Sequence, residues 1–236
     1  MKSIVAIIQA RTGSKRLPRK VLKKISNISL IEWVILRLKK SRRIKKIILA
    51  TTKQKKDDIL VTIAQKNKIN FYRGPNLDVL GRFFGAANLQ KTDLIIRICS
   101  DNPFIDATEV DYLIRKFKSK KYDYSCNHQN RLNSNYVDGF GAEIFTYDLL
   151  KKLNFIVKKK SDREHVTKYV WDNIKKFKIL SFAAPKKLAF PKLKFDINTL
   201  KDFKKINNFV NKHNIKVTTK ATQIINYKLS EKRFQI

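Results

Sequence analysis

The sequence predicts an α/β fold, a three-layer α/β/α arrangement with a mainly parallel central sheet. Short apolar runs, typical of strands buried on both faces, alternate along the chain with segments whose apolar residues recur at helical spacing. The clearest strands are Ile4–Ile8, Ile44–Thr51 and Asp93–Ile98. This alternation favours parallel strands covered by helices on both faces. Because α/β folds of this length need not divide, we expect residues 1–236 to form a single domain.

The remaining elements continue the same alternation. Apolar residues at i, i+3, i+4 and i+7 predict a helix over 31–38, directly after the first loop. Further helices are predicted over 59–63, 79–87, 110–117, 166–174 and 200–210. Further strands are predicted at Ile69–Tyr72, Tyr122–Ser125, Phe177–Phe182 and Leu193–Phe195, with a strand-like run around Glu143.

Two helix starts carry polar capping patterns. Asp106, with Glu109 three residues later, is expected to cap the helix over 110–117, and we interpret Asp106 as structural. Ser161 and Glu164 form an S-x-x-E box that is expected to open the helix over 166–174. Capping alone therefore explains Glu164.

The composition is strongly basic, with 53 Lys and Arg against 19 Asp and Glu and a net charge of +34. This makes nucleic-acid binding one alternative function. The excess positive charge comes mostly from lysines in scattered pairs and triplets. Arginine, which recognises base edges and binds phosphates through two parallel hydrogen bonds, is comparatively scarce. We therefore favour a solvated lysine surface and expect no dedicated nucleic-acid partner.

The sequence also carries signals about membrane association and the cellular compartment. No run approaches the ~18 apolar residues of a membrane span, so we expect no membrane partner. Cys99 and Cys126 give neither metal-ligand spacing nor a disulfide framework. The N-terminal strand leads straight into a polar loop without the features of a signal peptide, and the expected location is the cytoplasm.

A cationic loop follows the first strand at once. It holds Arg11, Gly13, Ser14, Lys15, Arg16, Arg19 and Lys20. Ligands of open α/β sheets bind outside the carboxyl ends of the strands, and this density of cations suits a polyphosphate. Gly13 is expected to supply a positive φ that turns backbone N–H groups inward. The single glycine excludes both the Walker loop and the dinucleotide-binding loop; the alternative is a surface turn in a very basic protein.

An acidic turn follows the strand Asp93–Ile98. Asp101 lies just past the carboxyl end of that strand, and Pro103 restricts the turn around it. A carboxylate beside a phosphate-binding loop suits Mg²⁺, which takes one or two carboxylates together with substrate phosphates. The alternative is an Asx-turn that only shapes the loop.

The segment Ala10–Lys20, A-R-x-G-S-x-R-L-P-x-K, resembles the signature of the sugar-nucleotide cytidylyltransferases. These enzymes activate acidic sugars such as 3-deoxy-octulosonate and sialic-acid relatives as CMP-sugars. The chain is most similar to the branch named after the spore-coat polysaccharide biosynthesis protein F. Weaker matches to family blocks occur over residues 78–87, 100–105, 138–147, 163–167 and 196–199. The resemblance implies the nucleotide-diphospho-sugar transferase architecture.

The resemblance also implies roles for particular residues. The nucleotide-binding residues are expected to be Ala10, Arg11, Gly13, Ser14, Arg16, Lys20 and Arg82. Arg11 and Lys20 are expected to hold the phosphates and, with Asp101, to be catalytic. Asp101 and Asp196 are expected to hold Mg²⁺, although Ile197 stands where the family usually has threonine. For Arg82, an ordinary exposed helix position is the alternative.

Three residues are expected on the sugar side. Asn127 lies in a polar segment, 126–136, whose amides suit sugar hydroxyls. Glu143 falls in a strand-like run and is expected either to contact substrate or to pair with an Arg or Lys, since an unpaired buried carboxylate is costly. His165 is a further candidate for substrate contact; a packed, hydrogen-bonded histidine is its alternative.

The cationic loop and the acidic turn predict a site for a polyphosphate and Mg²⁺, and the family resemblance implies transfer of CMP from CTP to a sugar or sugar acid, with release of pyrophosphate. Two rivals remain: a glycosyltransferase of the same fold that uses a finished sugar nucleotide, and a basic nucleic-acid-binding protein. The expected partners are CTP, the acceptor sugar, Mg²⁺ and, for assembly, a second copy of the chain in a homodimer.

Overall fold

The computed structural model describes residues 3–118 and 121–233. The described strands are β1 (Ile4–Gln9), β2 (Lys24–Ile25), β3 (Ile28–Ser29), β4 (Lys46–Thr52), β5 (Asn70–Gly74), β6 (Leu94–Cys99), β7 (Tyr124–Cys126), β8 (Glu143–Thr146) and β9 (Ile179–Leu180). The described helices are α1 (Leu30–Leu38), α2 (Asp58–Lys66), α3 (Val79–Asn88), α4 (Ala107–Lys118), α5 (Tyr147–Ile156), α6 (Lys160–Arg163), α7 (Lys168–Asp172), α8 (Leu200–Lys212) and α9 (Ala221–Arg233). None of them is long and apolar enough to cross a lipid bilayer.

The central sheet has the strand order β5-β4-β1-β6-β8-β7-β9. Neighbouring strands are parallel except at β8, which runs antiparallel to both β6 and β7. The hairpin β2–β3 stands apart from this sheet. The prediction of a mainly parallel sheet is confirmed.

Helices cover both faces of the sheet, because its central strands are apolar on both sides. On one face Ala6 and Ile8 of β1 pack with apolar side chains of α1, α2 and α4. On the other face Val5 and Ile7 pack with side chains of α3, α5 and α7. The three-layer prediction is therefore confirmed.

A third apolar cluster lies beyond the sheet and was not predicted. It joins the β2–β3 hairpin, the residues after β6, and helices α8 and α9, with Phe104 packed against the rings of Trp33, Phe195 and Phe209. The fully buried Arg37 ties these parts together, since its guanidinium donates to the carbonyl oxygens of residues 105, 217 and 219. This cluster fixes the C-terminal helices beside the carboxyl edge of the sheet.

The two capping predictions have opposite outcomes. Asp106 caps α4, since its Oδ1 accepts from the backbone N–H groups of residues 108 and 109, and that prediction is confirmed. The predicted box at Ser161 is wrong: Ser161 lies inside the short α6, whose N-cap position is Lys159, and no side chain caps it. The predicted helix over 166–174 is likewise reduced to α7, residues 168–172.

Candidate active site

Three neighbouring parallel strands end at the same edge of the sheet. The cationic loop 10–20 follows β1, the single turn 55–57 follows β4, and the acidic turn 100–103 follows β6. The segment 196–198 lies against the acidic turn, since the N–H of Ile197 donates to the carbonyl oxygen of Asp101 at 3.0 Å. Four segments that are distant in sequence therefore form one site.

The cationic loop and the acidic turn are in direct contact. Lys20 Nζ lies 3.1 Å from Asp101 Oδ2 and also donates to the carbonyl oxygen of Ile197 at 2.8 Å. Arg16 reaches the same segment and donates to Asn198 Oδ1 at 3.1 Å. The expected meeting of the two turns is thus present in the structure, and residues 196–198 form its third side.

Asp196 completes an acidic pair with Asp101. Burial raises the pKa of Asp196, and the negative charge of Asp101 raises it further. The side-chain amide of Asn198 donates to the Asp196 carboxylate. The charge of Asp101 thus disfavours ionisation of Asp196, and a hard divalent cation held by these carboxylates would offset that effect.

The acidic pair is small for a metal site built from protein alone. Within residues 3–118 and 121–233, no group of three or more His, Cys, Asp or Glu side chains is placed to hold a metal ion. A Mg²⁺ ion held by Asp101 and Asp196 would therefore take its other ligands from substrate phosphates and water, which is its usual habit in phosphoryl-transfer sites.

The loop is anchored by Asp57, a residue that the sequence analysis did not identify. Asp57 is fully buried; its Oδ1 accepts from both the N–H and the Oγ1 of Thr12 at 2.7 Å, and Thr52 donates to its Oδ2. Burial alone would raise the pKa of Asp57, but these hydrogen bonds outweigh burial and lower it. An acidic residue just past the end of the second strand was the signal available in the sequence.

The backbone of the loop differs from the expectation for its glycine. Gly13 does not have a positive φ; within the loop, that conformation falls at Arg19, with φ 52°. Ser14 is used locally, since its Oγ accepts from the N–H of Leu17 at 3.4 Å. Ala10 is buried, and its N–H donates to the carbonyl oxygen of Ala50 at 3.2 Å, which fixes the start of the loop on β4.

Arg11 and Arg82 meet at the residues before α3. Arg11 Nη1 donates to the backbone and side-chain oxygens of Asn76 at 3.2 and 3.3 Å. Arg82 is fully buried, so the alternative of an exposed helix position is wrong. Its Nη1 donates to the carbonyl oxygen of Pro75 at 2.7 Å, whereas Nε and Nη2 are buried without a hydrogen-bond partner among the described residues. Burial, and then the charge of Arg11, lower the pKa of Arg82 to about 10.

Two of the blocks that carry the family resemblance are joined by an ion pair. Asp78 caps α3 by accepting from the N–H of Gly81 at 2.8 Å. The same carboxylate receives both Nε and Nη2 of Arg163, at 3.0 and 2.8 Å, in a bidentate pair. The pair fixes the segment around α6 against the start of α3.

Glu143 and His165 line a common cavity of about 350 Å³. The cavity is lined by Arg97, Glu143, His165, Thr167, Lys168, Trp171 and Asp172. Arg97 Nη1 contacts Glu143 Oε1 at 2.6 Å, and the two residues are register partners on β6 and β8. Glu143 therefore takes the Arg pairing that was one of its two predicted roles. His165 is exposed at the rim, so it is not a packed core histidine.

The predicted role of Asn127 is wrong. It was predicted to contact substrate, but its side chain is buried and holds the protein backbone. Its Nδ2 donates to the carbonyl oxygen of Glu109 at 2.8 Å, and its Oδ1 accepts from the N–H of Ala142 at 3.0 Å. The amide is engaged at both ends and has a structural role.

Comparisons with known sequences agree with this geometry. A family model described as cytidylyltransferase matches residues 5–231. An uncharacterised protein of Methanocaldococcus jannaschii is 38% identical over 201 residues, which are 85% of this chain and 80% of that protein. The spore coat polysaccharide biosynthesis protein SpsF of Bacillus subtilis is 29% identical over 230 residues, which are 95% of this chain and 93% of SpsF.

A solved structure extends the similarity to the whole fold. A cytidylyltransferase from Leptospira borgpetersenii superposes with a TM-score of 0.88 at 27% identity, covering 100% of this chain and 96% of its own. The similarity therefore includes the segment 196–198 and the C-terminal helices as well as the sheet.

Proposed function

This chain belongs to the cytidylyltransferase family, and on that premise we propose that it transfers CMP from CTP to a hydroxyl of a sugar or sugar acid. One observation supports this proposal above the others: Lys20 of the cationic loop lies 3.1 Å from Asp101 of the acidic turn, and Ile197, next to Asp196, is hydrogen-bonded to both residues. A triphosphate needs cations and its metal ion needs carboxylates, and this site places both together. The relative SpsF is a spore coat polysaccharide biosynthesis protein by name, which favours a sugar as the acceptor.

The proposed reaction is an in-line displacement at the α-phosphorus of CTP. A bond forms between the sugar hydroxyl oxygen and the α-phosphorus, the bond from that phosphorus to the pyrophosphate oxygen breaks, and the hydroxyl proton passes to solvent water. Such reactions depend mainly on positioning and on neutralising charge. Arg11, Arg16 and Lys20 would hold the β- and γ-phosphates and stabilise the pyrophosphate as it leaves.

Asp101 and Asp196 are the residues that would hold Mg²⁺. The ion would supply positive charge to the phosphate oxygens and would lower the pKa of a bound hydroxyl, so that the site needs no separate general base. The task of the two aspartates is to fix the position of that charge next to Lys20.

The nucleoside would lie toward Arg82. The buried Nε and Nη2 of Arg82 are donors without a described partner, next to the contact between Arg11 and Asn76. A ligand that brings acceptor oxygens to this place would satisfy them, which supports assigning Arg82 to nucleotide binding.

The acceptor would enter from the cavity lined by Arg97, Glu143 and His165. The paired guanidinium and carboxylate present donors and acceptors side by side, and sugar hydroxyls use both. We therefore propose that Glu143 and His165 contact the acceptor, with Arg97 holding Glu143 in place.

The proposal is tested in two steps. Thermal shifts with each of the four nucleoside triphosphates and Mg²⁺ should show the largest stabilisation with CTP. Pyrophosphate release from CTP should then depend on one member of a panel of neutral sugars and sugar acids. No pyrophosphate with any member, together with breakdown of a finished CMP-sugar, would instead indicate the glycosyltransferase. Steeply salt-dependent DNA affinity without CTP binding would indicate the nucleic-acid-binding protein.

A further inference from the structure

A lysine from another part of the chain lies over the glycine of the cationic loop. A Cβ atom placed on Gly13 would lie 3.3 Å from Nζ of Lys56 and 3.7 Å from its Cε. Because the φ of Gly13 is not positive, the backbone there does not require glycine. What the missing side chain provides is room for the Lys56 ammonium group.

The position of Lys56 is fixed by its backbone and by the next residue. Thr12 Oγ1 contacts the carbonyl oxygen of Lys56 at 3.4 Å. Asp57, which follows Lys56 in the same turn, holds both the N–H and the Oγ1 of Thr12 at 2.7 Å and is also bound by Thr52. The turn 55–57 and the loop 10–20 are therefore one unit, with Asp57 as the connection between them.

The arrangement concentrates positive charge in a way that favours an anionic ligand. Lys56 places an ammonium group beside Gly13 in a loop that also carries Arg11, Arg16 and Lys20. The negative charge nearest to it in sequence, Asp57, is already engaged by Thr12 and Thr52. Among the ion pairs of the described residues, none includes Lys56, and its side chain is exposed on the side of the loop. A polyphosphate bound over Gly13 would lie within reach of the Lys56 ammonium group.

We propose that Lys56 is a further ligand of the CTP phosphates, and that Asp57 is the positioning residue that sets it against the loop. The inference rests on the proposed function, because it takes the bound anion to be the triphosphate of CTP. It adds to the site a cation from the β4–α2 connection, outside every segment that resembles the family signature.

The test compares Lys56→Gln with Lys55→Gln, its matched control. Both variants remove one exposed lysine charge from the same turn, so general electrostatics change equally. By calorimetric titration of CTP with Mg²⁺, Lys56→Gln should bind roughly three- to tenfold more weakly than wild type, and Lys55→Gln within about twofold. Melting temperatures of both should stay within about 2 °C of wild type, and Lys56→Arg should restore most of the affinity.

A double-mutant cycle tests the positioning role of Asp57. Asp57→Asn keeps the shape of the side chain and weakens its hold on Thr12, so CTP affinity and melting temperature should both fall. In the Asp57→Asn background, adding Lys56→Gln should change CTP affinity by less than about twofold, because the lysine is no longer held over Gly13. Additive effects would overturn the positioning role.

The outcomes distinguish a failure of the Lys56 assignment from a failure of the proposed function. If wild-type protein binds CTP and Lys56→Gln binds it as tightly as Lys55→Gln does, the assignment of Lys56 is wrong and the proposed function stands. If wild-type protein binds no triphosphate, the proposed function is wrong and the assignment of Lys56 is overturned with it.

Discussion

Replacing Lys20 by alanine should remove most of the turnover while leaving the fold intact. Lys20 Nζ lies 3.1 Å from Asp101 Oδ2 and 2.8 Å from the carbonyl oxygen of Ile197, and its side chain is only 12% exposed. At that separation the gross attraction between Lys20 and Asp101 is about 5 kcal/mol for an effective dielectric constant of ~20. In turnover the same cation would act on the leaving pyrophosphate.

The expected loss follows from the use of a fixed charge in the transition state. Removing one preorganised charge-stabilising donor lowers turnover by roughly 10²–10³-fold, or about 2.7–4 kcal/mol. Stability should change far less, because the Asp101 side chain is 31% exposed and water can replace the ammonium group. We expect a drop in the free energy of unfolding of about 1 kcal/mol or less.

The assay is rapid-quench pyrophosphate release with saturating CTP, Mg²⁺ and acceptor. Lys15→Ala is the matched control, since Lys15 is exposed in the same loop and removes the same charge. Lys20→Arg should keep the charge and recover part of the rate. If Lys20→Ala turns over within about threefold of Lys15→Ala, the assignment of Lys20 to the leaving pyrophosphate is wrong.

Three further predictions follow from single contacts. Asp101→Asn should lose at least about 10²-fold in turnover and move the Mg²⁺ midpoint upward; an unchanged midpoint would show that Asp101 is not a metal ligand. Burial and the charge of Asp106 raise the pKa of Glu109 to about 7, so the folded state keeps a proton that the unfolded chain loses at lower pH. The free energy of unfolding should therefore fall as pH rises from about 4.5 to 7. Glu109→Gln should raise the free energy of unfolding by up to about 3 kcal/mol at pH 8 but change it little at pH 4. Thermal melts of both proteins at the two pH values test this, and an equal effect at both would contradict it. Arg163→Ala breaks the bidentate pair with Asp78 and should lower the urea-derived free energy of unfolding by about 1.5–3 kcal/mol. A loss near zero would mean that the pair does not contribute to stability.

The sheet and the meeting of the two turns could be predicted because both depend on local pattern. Apolar runs such as Ile4–Ile8 mark strands that are buried on both faces, and parallel neighbours bring their carboxyl ends to one edge. From that alone, the loop after β1 and the turn after β6 had to be close. The contact between Lys20 and Asp101 confirms this reasoning.

Residues whose roles depend on tertiary partners could not be predicted in the same way. Asp57 stands in the lysine-rich run K-Q-K-K-D-D, where an acid is normally solvated, and only the folded chain brings Thr12 to it. The prediction for Asn127 used only the chemistry of its amide, but in the fold that buried amide bonds a carbonyl oxygen of α4 and the N–H just before β8 and so is not free for a ligand.

The segment around α6 and α7 shows the limit of periodicity. The S-x-x-E pattern at Ser161 suggested a helix start, yet the structure begins α6 at Lys160 and interrupts the chain before α7. Lys168 contacts Asp162 at 3.2 Å and also pairs with Asp172, while Arg163 turns away to Asp78. Of these, only the pair between Lys168 and Asp162 crosses the break between α6 and α7; the other two act within α7 and toward α3.

Lys20 donates a hydrogen bond to the carbonyl oxygen of Ile197, 177 positions later in the chain, and the N–H of Ile197 donates to the carbonyl oxygen of Asp101. The third side of the site is therefore made by a segment far along the chain, and apolar residues of α8 and α9, which follow it in sequence, pack against it. A chain truncated before residue 196 has the cationic loop but not this third side. Under the proposed function, such a fragment should bind CTP more weakly than the 236-residue chain and should not turn it over.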